Sequence, residues 1–218
     1  GRPRARYRHL IDRLCVRFAD RLLVDCESQV RHYEEMFSGV ARKACVLPIG
    51  APEWRFPPAP LRERTASDEV RVLFYGHFAP LHGVPAILDA ARRLAGDDRF
   101  RFELIGYGSL FDEMRHRSEE SSGEGNLFFR DPVSLDELRD RIAASDICLG
   151  VFGKEDRARR VVPNKVWQCL AVGRPVVTRD GPGPRSVLED GTHCMLVPPS
   201  DPIALAEALR QLADRPGL

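Results

Sequence analysis

Lys165 follows Pro163 and Asn164 and precedes Val166, Cys169 and Leu170, which recur at helical spacing before Gly173 and the apolar run Pro175-Val176-Val177. Proline fixes its own φ and disfavours helix at Val162, so the helix must start at Asn164 or Lys165. There the backbone N–H groups lack intrahelical acceptors and the dipole is positive, which suits an anion. Ahead of this point, Gly153 to Arg160 carries Lys154, Arg157, Arg159 and Arg160. Cations beside a helix N-terminus can stabilise charge developing on a phosphate leaving group. The plain alternative is a solvated charged face, which most charge runs are. A second loop, from Gly76 to Gly83, brings His77 and His82 beside a glycine that lets backbone approach a ligand closely. A neutral imidazole donates one hydrogen bond, and a neighbouring anion would favour its protonation.

Both loops must be positioned by strands. Short apolar runs at 70–75, 100–105, 127–130, 147–152, 175–178 and 194–197 alternate with amphipathic helical patterns. That pattern predicts an α/β fold, a doubly wound parallel sheet covered on both faces, with ligands at the carboxyl ends of its strands. The loops leaving those ends are 76–83, 106–109, 153–164 and 179–183. Residues 6–50 read as helix, strand (22–25), helix (29–37) and strand (45–49), the last units of another αβ layer. Residues 51–69, with Pro52, Pro57, Pro58 and Pro60 and no apolar periodicity, read as an interdomain linker. The low-complexity stretch 118–125 reads as a mobile surface loop.

With 218 residues, 43% apolar, and a net charge of +1, the chain has the composition of a folded globular protein and not that of a nucleic-acid binder. The first fourteen residues are locally basic and could touch an anionic membrane surface. The more economical reading is an amphipathic helix with Leu10, Ile11, Leu14 and Phe18 turned inward. The cysteines at 15, 26, 45, 148, 169 and 194 form no C-x-x-C pair, which points to a reducing, cytoplasmic compartment. No metal ligands are spaced as a site, and Asp-x-Asp is absent. Gly106-Tyr107-Gly108 lacks the third glycine of a dinucleotide fingerprint, so NAD is rejected and no cofactor is expected.

The segment Val161 to Thr178, VVPNKVWQCLAVGRPVVT, resembles the donor-site segment of glycosyltransferase family 4, in the subgroup whose loop reads P-N-K. VLFYGHFAPLHGV (72–84), LIGYG (104–108), Ala144-Ser145-Asp146-Ile147, the glycine loop from Gly181 to the Glu189-Asp190-Gly191 turn, and LVPP (196–199) with Asp201-Pro202 follow in the family's order. FADRLLVD (18–25) and VLPIGA (46–51) resemble the end of the family's other domain. The resemblance therefore implies a GT-B scaffold of Rossmann-like domains: the end of an acceptor domain (1–50), a linker (51–69) and a nucleotide-sugar donor domain (70–218).

By the same resemblance, the chain would belong to a retaining, metal-independent enzyme that moves a sugar from a nucleotide sugar to a sugar or lipid-linked hydroxyl acceptor. Arg160 and Lys165 would stabilise the leaving group, while Gly76, His77, His82, Gly106, Pro163, Asn164, Gln168 and Gly181 would line the donor site. The sequence departs from the family at His77 and His82, where Arg or Lys is usual at one or both places, and at Arg160 and Gln168, which stand where the broad family has glutamates. A glutamate at the second position accepts from both ribose hydroxyls; Gln168 keeps one acceptor and turns the other into a donor. The chain begins mid-pattern at Gly1, so it reads as a fragment that binds and does not catalyse alone. Gln168 also supports an alternative, a non-catalytic scaffold relative. A GT-B epimerase or phosphorylase fits less well, since among Lys43, Lys154 and Lys165 none suits a Schiff base.

Overall fold

A computed structural model describes residues 2–119 and 125–216, with backbone alone at 2–5 and 8. Most of the stretch 118–125, and part of the basic stretch 1–14, therefore lie outside the described residues or side chains. The chain divides into two compact units, Gly1–Ile49 and Gly50–Leu218.

The first unit contains α1 (Arg2–Phe18), β1 (Leu22–Val24), α2 (Glu27–Met36) and β2 (Ala44–Val46), with the two strands parallel. Lys43 closes the end of α1 by donating to the carbonyls of Val16, Arg17 and Ala19 at 3.1, 3.0 and 2.8 Å, where a cation suits the free carbonyls of a helix C-terminus. The expected inward stripe is corrected here. Leu10, Ile11, Leu14 and Phe18 are all exposed, because a two-stranded sheet offers the unit no second layer to cover them.

The second unit is built on a six-stranded, wholly parallel sheet in the order β5-β4-β3-β6-β7-β8: Leu127–Arg130, Phe100–Tyr107, Val70–His77, Ile147–Leu149, Val176–Arg179 and Met195–Val197. Helices α3 (Val84–Arg93), α4 (Phe111–Glu119), α5 (Leu135–Ala144), α6 (Asp156–Arg160), α7 (Asn164–Ala171) and α8 (Pro202–Ala213) complete it. Alternation along β3 sends Val70, Val72 and Phe74 into a core with α3 and α8, and Leu73 and Tyr75 into a second core with α7. This is the expected doubly wound sheet. From β3 the chain winds outward to β4 and β5 and then returns to β6, so the order reverses between β3 and β6.

Two strand ends differ from expectation. β3 and β4 run on through Gly76 and Gly106 to His77 and Tyr107, since the two glycines pair in register and a side chain on Gly106 would strike the carbonyl of Gly76. β6 instead stops at Leu149. Beyond it the backbone turns to other partners, with Phe152 N–H donating to the carbonyl of His82 at 3.0 Å.

Residues 51–69 form no helix or strand but pack on the second unit. Phe56 is buried against the α7 core, and Arg174, itself buried, donates to the carbonyls of Pro60 and Ala143 at 2.9 and 3.1 Å. Asp146 is buried and accepts from Arg62 at 2.7 Å and from the Arg71 N–H at 2.8 Å, with Arg64 at 3.7 Å. Removing one member of a buried ion pair strands the others. Asp146→Ala is therefore expected to cost about 3 kcal/mol, read as a lower urea midpoint; an unchanged midpoint would show that the segment is held without it.

Candidate ligand-binding site

Pro163, with φ −65° and ψ 146°, is the N-cap of α7, Asn164 is its first residue and is exposed, and no side chain caps the end. The second residue, Lys165, turns inward. Its ammonium is buried, finds no hydrogen-bond partner among the described residues, and sits 4.0 Å from the Phe74 ring centroid and 5.7 Å from that of Tyr75. Loss of water pulls its pKa from 10.5 down to about 7, because nothing nearby repays the desolvation of the charge. The cation–π contact recovers only part of that cost.

Gly76 lies directly against this amine. A β-carbon there would come within 2.8 Å of Nζ, and its φ of +139° is one that other residues rarely adopt. His82 closes the same space. It ends a 3-10 turn, Pro80–His82, and is half-buried; its Nδ1 contacts the carbonyl of His77. Desolvation first, and then the charge of Lys165, bring its pKa from 6.5 down to about 4. His77 is exposed, with its ring 5.0 Å from that of Tyr107 across the β3–β4 pair. Lys165, Gly76, His82 and His77 thus form one contiguous group at the switch point. Gly106 is next to it but filled on its inner side by Gly76 and the Phe78 ring.

Arg160 and Gly181 belong to an adjoining pair of loops. Arg160 ends α6 and is ion-paired with Asp156. Gly181 lets the loop after β7 lie on α6, since a β-carbon there would meet the Arg159 carbonyl at 2.8 Å, and Gly183 N–H donates to that carbonyl at 2.9 Å. Gly83 and Gly153 do the same between the β3 and β6 loops, with Gly153 N–H donating to the Leu81 carbonyl at 3.2 Å. Gln168 is partly buried, and its carboxamide oxygen accepts from the Tyr75 hydroxyl at 2.7 Å.

Three residues of the site were not expected from sequence. Arg179 is buried at the end of β7 and donates to the Gly153 carbonyl at 2.7 Å and to that of Asp180 at 3.0 Å, which pins the cationic loop. Its signal was a lone cation closing an apolar strand. Phe74 and Tyr75 read simply as core. Among the described residues no group of His, Cys, Asp or Glu could hold a metal ion. A groove of about 430 Å³ elsewhere in the unit runs between β3–β5 and α5, but its arginines, including Arg71, Arg130 and Arg141, already pair with Glu69 and Glu103.

The architecture is that of a doubly wound α/β protein, with a buried, unmatched cation at its switch point. A family model for glycosyl transferases group 1 matches residues 69–215, and the chain belongs to that family. It is 28% identical to a D-inositol 3-phosphate glycosyltransferase of Geodermatophilus obscurus, over 98% of this chain and 50% of that protein. It is 29% identical to an alpha-D-kanosaminyltransferase of Streptomyces kanamyceticus, over 73% of this chain and 41% of the relative. The chain thus spans about half the length of the curated relatives it matches. In fold it is similar to sucrose-phosphate synthase of Thermosynechococcus elongatus (TM-score 0.75, 20% identity, 97% of this chain and 53% of that one). It is likewise similar to Anabaena HepE in complex with UDP and glucose (TM-score 0.72, 16% identity, 92% and 59%). The fold is Rossmann-like, as in these GT-B relatives.

The folded pKa of Lys165 lies below its unfolded value, so between the two the unfolded chain holds a proton that the folded chain lacks, and stability falls as pH drops from about 10.5 to about 7. Lys165→Met is expected to stabilise the ligand-free chain at pH 7 by on the order of 4 kcal/mol, with the gain shrinking as pH rises. Urea unfolding of both proteins at pH 7 and 9.5 measures it. A variant no more stable at pH 7 would mean that the ammonium is not stranded.

Proposed function

We propose that the second unit is the donor-binding domain of a retaining glycosyltransferase of family 4, and the first unit the end of its acceptor-binding domain. The enzyme moves a sugar from a nucleoside-diphosphate sugar to a hydroxyl of a sugar or lipid-linked acceptor. The observation that carries this reading is the buried, unpartnered Lys165 ammonium beside the N-terminus of α7. A diphosphate placed there would supply the missing counter-charge and meet the positive end of the helix. As the glycosidic bond breaks, negative charge grows on the departing diphosphate, and fixed cations stabilise it without reorganising. Lys165 and the cationic loop ending at Arg160 provide this without a metal ion. The loops hold the donor in place for an acceptor hydroxyl to attack on the face the diphosphate leaves.

The solved structure of HepE holds UDP and glucose, which supports a uridine nucleotide as the first ligand to try. No helix among the described residues is long and apolar enough to cross a membrane. The six free cysteines suit a reducing compartment, and we place the chain in the cytoplasm, with the basic start of α1 as a peripheral membrane contact. One observation favours the scaffold alternative: the acceptor oxygen of Gln168 is already engaged by Tyr75.

Calorimetric titration with UDP, GDP and ADP, and with the corresponding nucleosides, separates the two. The donor reading expects one diphosphate to bind, its nucleoside not to, and Lys165→Met and Arg160→Ala each to weaken binding about tenfold or more, the effect of losing one charged contact of ~1.5–3 kcal/mol. A folded chain that binds none of them favours the scaffold. Gln168→Glu tightens binding if this residue reaches the ribose.

A further inference from the structure

Lys165 and His82 approach each other from α7 and from the turn after β3, and among the described residues no carboxylate acts on either of them. The titratable groups facing Lys165 are Cys169 on its own helix, Tyr75 on β3 and His82; those facing His82 are Lys165 and His77. Burial pushes the Tyr75 hydroxyl and the Cys169 thiol up, so both stay neutral and neither offers the ammonium a counter-charge. From α6 and the loop ahead of it, which pack beside the His82 turn, the charged groups are Lys154, Glu155, Asp156, Arg157, Arg159 and Arg160; Glu155 lies against Gly153, and Asp156 is taken by its two arginine partners.

The His82 ring has a fixed polarity. Its Nδ1 faces the carbonyl of His77, where only an N–H is tolerated, so in the neutral ring Nε2 is a bare lone pair. A lone pair repels a phosphate oxygen, and the same atom once protonated donates to it. Lys165 has the complementary difficulty, an ammonium stripped of water with no acceptor. Both groups therefore gain most from an anion when both are charged.

Given the donor-site reading on which it rests, we propose that this site takes up protons with its ligand: a nucleoside diphosphate is bound by ammonium and imidazolium together, whereas above neutral pH neither group is fully charged in the ligand-free site. The proton passes from buffer to Nε2 of His82 and, above neutral pH, to Nζ of Lys165; no covalent bond to the ligand forms or breaks. The depressed pKa values of both groups in the empty site, about 7 and about 4, agree with the geometry. Affinity consequently rises as pH falls, the direction in which binding consumes protons.

The test is titration of the chain with UDP at pH 8 in buffers of different ionisation enthalpy, such as HEPES and Tris, and again between pH 7.5 and 9. UDP is itself fully ionised there, its terminal phosphate titrating near ~6. The expected result is an apparent heat that changes with buffer by an amount corresponding to about one to two protons taken up, and a Kd that weakens by about ten- to a hundredfold per pH unit, one factor of ten for each proton. His82→Asn, which keeps a donor and cannot titrate, is expected to bind UDP with a smaller uptake. UDP binding with the same heat in every buffer and a flat pH profile overturns the proposal while leaving the donor site intact. Unchanged uptake in His82→Asn removes His82 from it. No UDP binding by the folded chain in any buffer overturns the donor reading itself.

Discussion

The organising constraint of this molecule is a charge placed where water cannot reach it. Desolvating an ammonium costs several kcal/mol unless an anion or strong acceptor replaces the water, and Lys165 has neither. The structure tolerates it through an aromatic face on one side and the absence of a side chain at Gly76 on the other. Both concessions are local and specific. A leucine at 165 would suit the Phe74 surface better and release Gly76 from its role, so the ammonium is retained at the expense of stability. Strain of that kind collects at ligand sites, where the ligand supplies what the fold withholds.

Around this point the loops are fixed by contact more than by secondary structure. The turns after β3, β6 and β7 touch one another through glycines: Gly83 and Gly153 between the first two, Gly181 and Gly183 between the last two. Each would place a β-carbon against backbone of the neighbouring loop, which cannot yield as a flexible side chain can. Arg179 adds a buried cation that holds the carbonyls of the cationic loop from below. It lies behind the site, so its effect on a ligand comes through the position of residues 153–160. The result is a site set on packed backbone, with the turns that carry it fixed against one another.

Much of this was legible in the sequence because it depends on local rules. Proline at 163 and glycine at 173 bracket α7 as expected, and the apolar strands alternate with helices in the order the sheet requires. The strand ends were less legible. The apolar runs break at Gly76 and Gly106, and only the register between the two strands, a nonlocal fact, shows that the glycines continue the ladder. The stripe on α1 was legible as amphipathic, but what covers a stripe is decided by other elements, and in its unit none does. The burial of Lys165 was likewise hidden. A lysine in the first turn of a helix reads as an exposed cation aimed at solvent, and its inward turn depends on Phe74, from a strand ninety residues earlier, lying beneath it.

Gln168 shows how one distant contact changes the meaning of a side chain. From sequence it is an amide with one acceptor and two donors, free to present either. The Tyr75 hydroxyl, donating to its oxygen from within the α7 core, narrows that freedom: it fixes which end of the amide is the oxygen and takes one of its two lone pairs. A carboxylate at this place would have a second oxygen to offer; the amide has none. Glutamine and glutamate at 168 would thus answer the same Tyr75 hydroxyl with different remainders, one lone pair and two N–H donors in the amide, a whole second oxygen in the carboxylate.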